Sequence, residues 1–133
     1  MEPQHIETAR ACLAAAEADT RTFPEIVGTL MEAGFEGYAV DFRAARATYY
    51  RPDGSMLDLP THALHTPIAD KFDLAPIQAA IRAAQTQAPG YSYLGFCRAV
   101  AAAGCASYLV SFLGRRAVYL GRTGESHVEL FPN

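Results

Sequence analysis

The chain has 133 residues, half of them hydrophobic and 19% charged, with a net charge of −3 and a mean hydropathy of +0.02. That size and composition suit one folded domain and exclude an intrinsically disordered chain. Lys71 is its single lysine, and the acidic residues outnumber Lys and Arg by 14 to 11. Without a cationic excess to displace phosphate counterions, nonspecific nucleic-acid binding is excluded.

Helical spacing of Ile6, Ala9, Leu13 and Ala16 predicts a first helix over residues 4–18. A second starts at Thr22 as N-cap, carries Pro24 in its first turn, and lines up Phe23, Ile26, Val27, Leu30 and Met31. Gly34 stops it where a left-handed residue is wanted. Alternation of Tyr38, Val40 and Phe42 with smaller or polar residues predicts a strand. A second strand follows over 46–51, then a Pro52-Asp53-Gly54 hairpin turn and a third strand over 55–59. Residues 61–72 form a polar connection.

The same order then recurs. Asp73 reads as the N-cap of a helix over 73–87, with Leu74, Ile77, Ile81 and Ala84 at helical spacing. Tyr93, Phe96, Cys97, Val100 and Ala101 make the next stripe, which Gly104 ends. Strands are predicted through Tyr108, Val110 and Phe112, over 116–121 and over 125–131, with Arg122-Thr123-Gly124 as the second hairpin turn.

A shift of seventy positions superposes the two series without a gap. Nine of the twenty-two aligned pairs from Ala33 to Gly54 are identical, where roughly one or two are expected from residue usage. We therefore expect one α+β domain built of two helix-helix-meander repeats, residues 1–60 and 73–133, joined by 61–72. A single three-stranded meander is too small to stand alone, so the repeats are expected to share a core about a pseudo-twofold axis. Helices should cover one face of antiparallel sheet. Whether the meanders form one sheet or two is left open.

The stretch from Gly34 to Pro132 resembles the YbcV-like family, small uncharacterised bacterial proteins with a domain of unknown function, sometimes labelled phage envelope protein. The resemblance is carried by Ala103-Gly104, Tyr108, Val110, Gly114-Arg115-Arg116, Tyr119, Gly121-Arg122-Thr123-Gly124-Glu125 and His127-Val128-Glu129-Leu130-Phe131-Pro132. Ala33-Gly34 and Tyr49-Tyr50 fit it as well. It implies one small compact domain and assigns no activity, substrate or catalytic residue.

Residues present in both repeats have two readings. Tyr38, Tyr49, Tyr108 and Tyr119 suit strands that bury a ring and leave a hydroxyl at the edge, or they line a ligand pocket across the axis. Arg46 and Arg116 suit solvated positions after a tight turn, or they converge as a clamp for a carboxylate or phosphate.

Departures from the repeat are the other candidates. Glu125, His127 and Glu129 stand where the first repeat has Ser55, Leu57 and Leu59, and strand alternation puts all three on one face. A His between two carboxylates is an acid–base group; the same strip also reads as the exposed polar face of an edge strand.

His62 and His65, spaced as H-x-x-H near Asp58 and Asp70, make too weak a pattern for a metal site, so neither metal nor cofactor is expected. His5 reads as a solvated terminal residue. Cys12, Cys97 and Cys105 are odd in number, without C-x-x-C spacing, and read as reduced and structural. The N-terminal residues lack a basic n-region, and the uncharged stretch 99–113 is too short to span a bilayer, so a cytoplasmic protein off the membrane is expected. The leading functional reading is a noncatalytic small-ligand-binding or protein-interaction module. The alternative is a small hydrolase or isomerase using His127 with Glu125 or Glu129. An uncovered sheet edge or face also allows a homodimer.

Overall fold

Six strands form one antiparallel sheet in the computed structural model, which describes residues 1–132. They are β1 (Gly37–Asp41), β2 (Arg46–Tyr50), β3 (Met56–Pro60), β4 (Cys105–Ser111), β5 (Arg116–Gly121) and β6 (Ser126–Leu130), in the order β3-β2-β1-β4-β5-β6. Each meander is a half-sheet, and antiparallel pairing of β1 with β4 joins the halves. In that register Ala39 faces Leu109, its own equivalent seventy positions on. The pseudo-twofold axis therefore passes between these two residues.

The helices are α1 (Pro3–Glu17), α2 (Phe23–Glu32), α3 (Leu74–Thr86) and α4 (Tyr93–Ala102). The start of α2 is a capping box: Thr22 Oγ1 accepts from the Glu25 N–H, and the Glu25 carboxylate accepts from the Thr22 N–H at 2.8 Å. Gly34 and Gly104 follow α2 and α4 with φ of +89° and +102°, the conformations expected of them. Asp73 stands at the N-cap of α3, but its side chain makes no capping bond there. Its N–H is instead tied to the Ala103 carbonyl at 2.8 Å, fixing the end of the connection against α4.

Alternation along the strands divides the sheet into two faces. Tyr38, Val40, Ala47, Tyr49 and Leu59 point inward from the first repeat, and Tyr108, Val110, Ala117 and Tyr119 from the second, and all are buried. Leu30, Ile77 and Val100 reach them from the helices and are themselves fully buried. The opposite face stays open, with Leu109, Leu120, Val128 and Leu130 exposed on it.

His5 differs from its reading as a solvated residue. It is half-buried, its ring meets Phe35 edge-on at 6.4 Å, and its Nδ1 is shielded without a hydrogen-bond partner. The imidazole turns onto Phe35, just beyond α2, instead of outward. Among the described residues, no helix is long and apolar enough to cross a membrane.

Candidate functional site

Four inward tyrosines make a ladder across the middle of the sheet. Tyr38 and Tyr49 are direct cross-strand partners with stacked rings 5.4 Å apart, and Tyr108 and Tyr119 repeat the pair at 5.7 Å. Tyr38 meets Tyr108 across the axis at 6.3 Å, edge to face. From α4, Tyr93 places its hydroxyl 2.5 Å from that of Tyr108. Phe96 packs edge-on to both Tyr108 and Tyr119.

Between this ladder and the helices lies a cavity of about 560 Å³, within the size range of small-molecule sites. Both repeats line it, Cys12, Leu13, Tyr38 and Tyr49 from the first, Ile81, Tyr93, Tyr108 and Tyr119 from the second. The charged lining residues are Asp19, Arg21, Glu25 and Glu129. Asp19 accepts from the Tyr93 N–H at 2.8 Å, which fastens the α1–α2 turn to the start of α4. The rings of Phe23 and Phe131 touch edge to face at 5.8 Å where the lining reaches the surface.

The interior is apolar enough to hold its acids protonated. Burial pushes the Tyr38, Tyr93 and Tyr108 phenols well above their ordinary range, and raises Tyr49 and Tyr119 too. Tyr91 is pushed up to about 12, the Cys97 thiol to about 12 and Cys105 to about 11, all chiefly by burial. At neutral pH these groups keep their protons. They do not serve as bases or thiolate nucleophiles.

The Glu125–Glu129 strip divides. Register pairs His127 with Tyr119 and Glu129 with Ala117, so both side chains lie on the helix-covered face, His127 largely covered and Glu129 still partly open to solvent. The His127 ring stacks on Tyr119 at 6.5 Å, its Nε2 lies 3.0 Å from Glu129 Oε2, and Gln85 of α3 donates to Glu129 Oε1 at 3.3 Å. Glu125 stays out of this pair, exposed in the hairpin turn one residue before β6.

Arg46 and Arg116 do not converge. Ala47 and Tyr49 point inward, so the preceding Arg46 points outward, and Ala117 and Tyr119 set Arg116 likewise. Arg46 lies opposite Asp41 and Arg116 opposite Ser111, at the two ends of the β1–β4 pair. Both are exposed, and Arg116 Nε donates to the Gly114 carbonyl. His62 pairs with Glu17 at 2.9 Å, and among the described residues no three His, Cys, Asp or Glu side chains group as a metal site.

Tyr91, Tyr93 and Phe96 join the cavity unannounced by the sequence reading. Tyr93 did leave a trace: it stands where the first repeat has Phe23, an added hydroxyl in a helix stripe. Removing the Tyr108 hydroxyl (Tyr108→Phe) breaks its bond to Tyr93 and is expected to lower stability by about 1 kcal/mol. Tyr49→Phe removes a hydroxyl with no partner among the described residues and should change stability by less than about 0.5 kcal/mol. Equal losses in urea unfolding would contradict this division.

Fold and cavity together define a class of protein: an internally duplicated α+β domain with an aromatic cavity at the seam of its repeats. Within the known families, the one described as Protein of unknown function (DUF1398) matches residues 13–128, and the chain belongs to it. A search of curated proteins finds no match.

Proposed function

We propose that the protein is a noncatalytic binding module that holds a small, uncharged, largely apolar molecule in the cavity between its repeats. The observation that carries this reading is the cavity itself, about 560 Å³, lined by six of the chain's seven tyrosines. Protonated phenols and thiols favour binding over chemistry, and three carboxylates against one guanidinium in the lining disfavour an anionic ligand. The chain has no tryptophan, so its intrinsic fluorescence reports on these tyrosines directly. At least one compound in a panel of uncharged aromatic and alicyclic molecules should raise the melting temperature and change tyrosine emission at micromolar concentration. Ala117→Leu, which fills the cavity floor, should abolish both responses. Silence across the panel overturns the proposal.

A second reading, a hydrolase or isomerase acting through His127 and Glu129, is favoured by their 3.0 Å contact beside a cavity that Glu129 lines. Mass spectrometry of a ligand after prolonged incubation decides it. Turnover lost in His127→Gln supports catalysis, and an unchanged ligand removes it. Within the family we place the chain among the YbcV-like proteins on its Gly121–Pro132 segment. Three free, buried cysteines support a cytoplasmic setting.

A further inference from the structure

Resting on the binding reading, we infer that the cavity takes an elongated, uncharged molecule with a hydrogen-bond acceptor near each end, one for the Tyr49 hydroxyl and one for that of Tyr119. Tyr49 is 3% exposed and Tyr119 7%, and both side chains line the cavity. Neither hydroxyl has a hydrogen-bond partner among the described residues, whereas the Tyr93 and Tyr108 hydroxyls bond each other. Neither oxygen is sealed off, since among the described residues only His5 Nδ1 is a fully shielded side-chain polar atom without a partner, so both hydroxyls stay free to donate to a molecule in the cavity. Two such groups at equivalent positions of the two repeats offer a hydrogen-bond donor at each end of the cavity.

Their placement sets the ligand's shape. β1 and β4 lie between β2 and β5, which separates the two tyrosine backbones by three strand spacings, roughly 14 Å. Tyr49 and Tyr119 are the two ends of the ring ladder, with Tyr38 and Tyr108 between them. One acceptor cannot serve both hydroxyls, so the molecule must run along the ladder. The rings beneath it favour an aromatic or conjugated body. Its acceptors are carbonyl or ether oxygens and not carboxylates, because an anion would be desolvated here with Glu129, Asp19 and Glu25 in the lining and Arg21 as the one cation among the lining residues.

Three probes of similar shape test this: 4,4′-diisopropenylbiphenyl with no acceptor, 4-acetyl-4′-isopropenylbiphenyl with one, and 4,4′-diacetylbiphenyl with two. In the wild-type protein each added acceptor should tighten binding by about three- to tenfold. Tyr49→Phe and Tyr119→Phe should each remove one step, and the double variant should bind all three probes within about twofold of one another. Hydrocarbon affinity should stay constant throughout, which also reports that the cavity is intact. Should the double variant fold poorly, the single variants carry the test, since each must still lose one step. If the hydrocarbon binds but acceptors add nothing, or if the gain survives both substitutions, the inference falls while the binding reading stands. If none of the three binds the wild-type protein, the inference falls, and the binding reading falls with it when the wider panel is silent as well.

Discussion

Between about pH 9 and pH 11 the protein is expected to unfold cooperatively, with Tyr38, Tyr49, Tyr93, Tyr108 and Tyr119 ionising only as helix is lost. Burial raises Tyr38, Tyr93 and Tyr108 well above 10.0 and Tyr49 and Tyr119 with them, and it raises Cys97 and Cys105 from 9.0 to about 12 and about 11. In the unfolded chain the thiols ionise above roughly pH 9 and the phenols above roughly pH 10. Over that window the unfolded state binds fewer protons than the native state, so stability falls as pH rises. Below about pH 8 both states hold these protons and the contribution is complete. Each group adds up to about 1.4 kcal/mol per pH unit, so the five phenols alone approach about 7 kcal/mol per unit. A domain of this kind has about 5–15 kcal/mol in total. Circular dichroism and near-ultraviolet absorbance, followed together, should show coincident transitions. Five tyrosines ionising near pH 10 in a protein that keeps its helical signal would sink the account of the cavity as a dry phenol cluster.

Gly104→Ala should be one of the most damaging single substitutions in the chain, costing about 4 kcal/mol or more, while the equivalent Gly34→Ala should cost only about 1–2 kcal/mol. Both glycines have positive φ and share that conformational term. At Gly34 an added Cβ meets the guanidinium of Arg51 at 3.0 Å, the far end of a flexible side chain. At Gly104 it runs into the Lys71 carbonyl and the backbone of Phe72, neither of which can swing aside. Those residues are anchored by bonds from the Asp73 N–H to Ala103 and from Arg122 Nη1 to the Ile68 carbonyl. The repeat thus provides its own control: same residue, same helix end, different neighbour. Equal losses at the two sites in urea unfolding would show that φ alone decides, and that the connection yields.

Much of this architecture was legible from residues in register. The seventy-residue shift, Gly34 and Gly104, Thr22 and the Tyr-x-Val-x-Phe strands each point to the element found. Joining the meanders into one sheet was not legible. The β1–β4 pairing spans the whole second helix pair, and Ala39 opposite Leu109 carries no pattern that announces it. For the site, the four repeated tyrosines were visible as residues, but their hydroxyls belong to the interior and not to the sheet edge. Arg46 and Arg116 show a different failure. Their repetition suggested a pair, although alternation with Ala47 and Ala117 already turned them away from the cavity. Alternation also placed His127 and Glu129 on one face. Which face it was depended on register with Tyr119 and on α3 lying over β6, and neither is local information.

Small residues in the cavity lining have a consequence for the protein's evolution. Ala16, Ala84 and Ala117 all border the same space, in an interior where side chains ordinarily close to about three-quarters of the available volume. Larger residues at these positions would gain dispersion contacts and apolar burial. Selection for thermal robustness alone would therefore push all three toward bulk, one substitution at a time. Holding them at alanine keeps the domain below the stability its fold permits, in exchange for room. Capacity and stability oppose each other at these three positions, and every methylene added there would be taken from the open space.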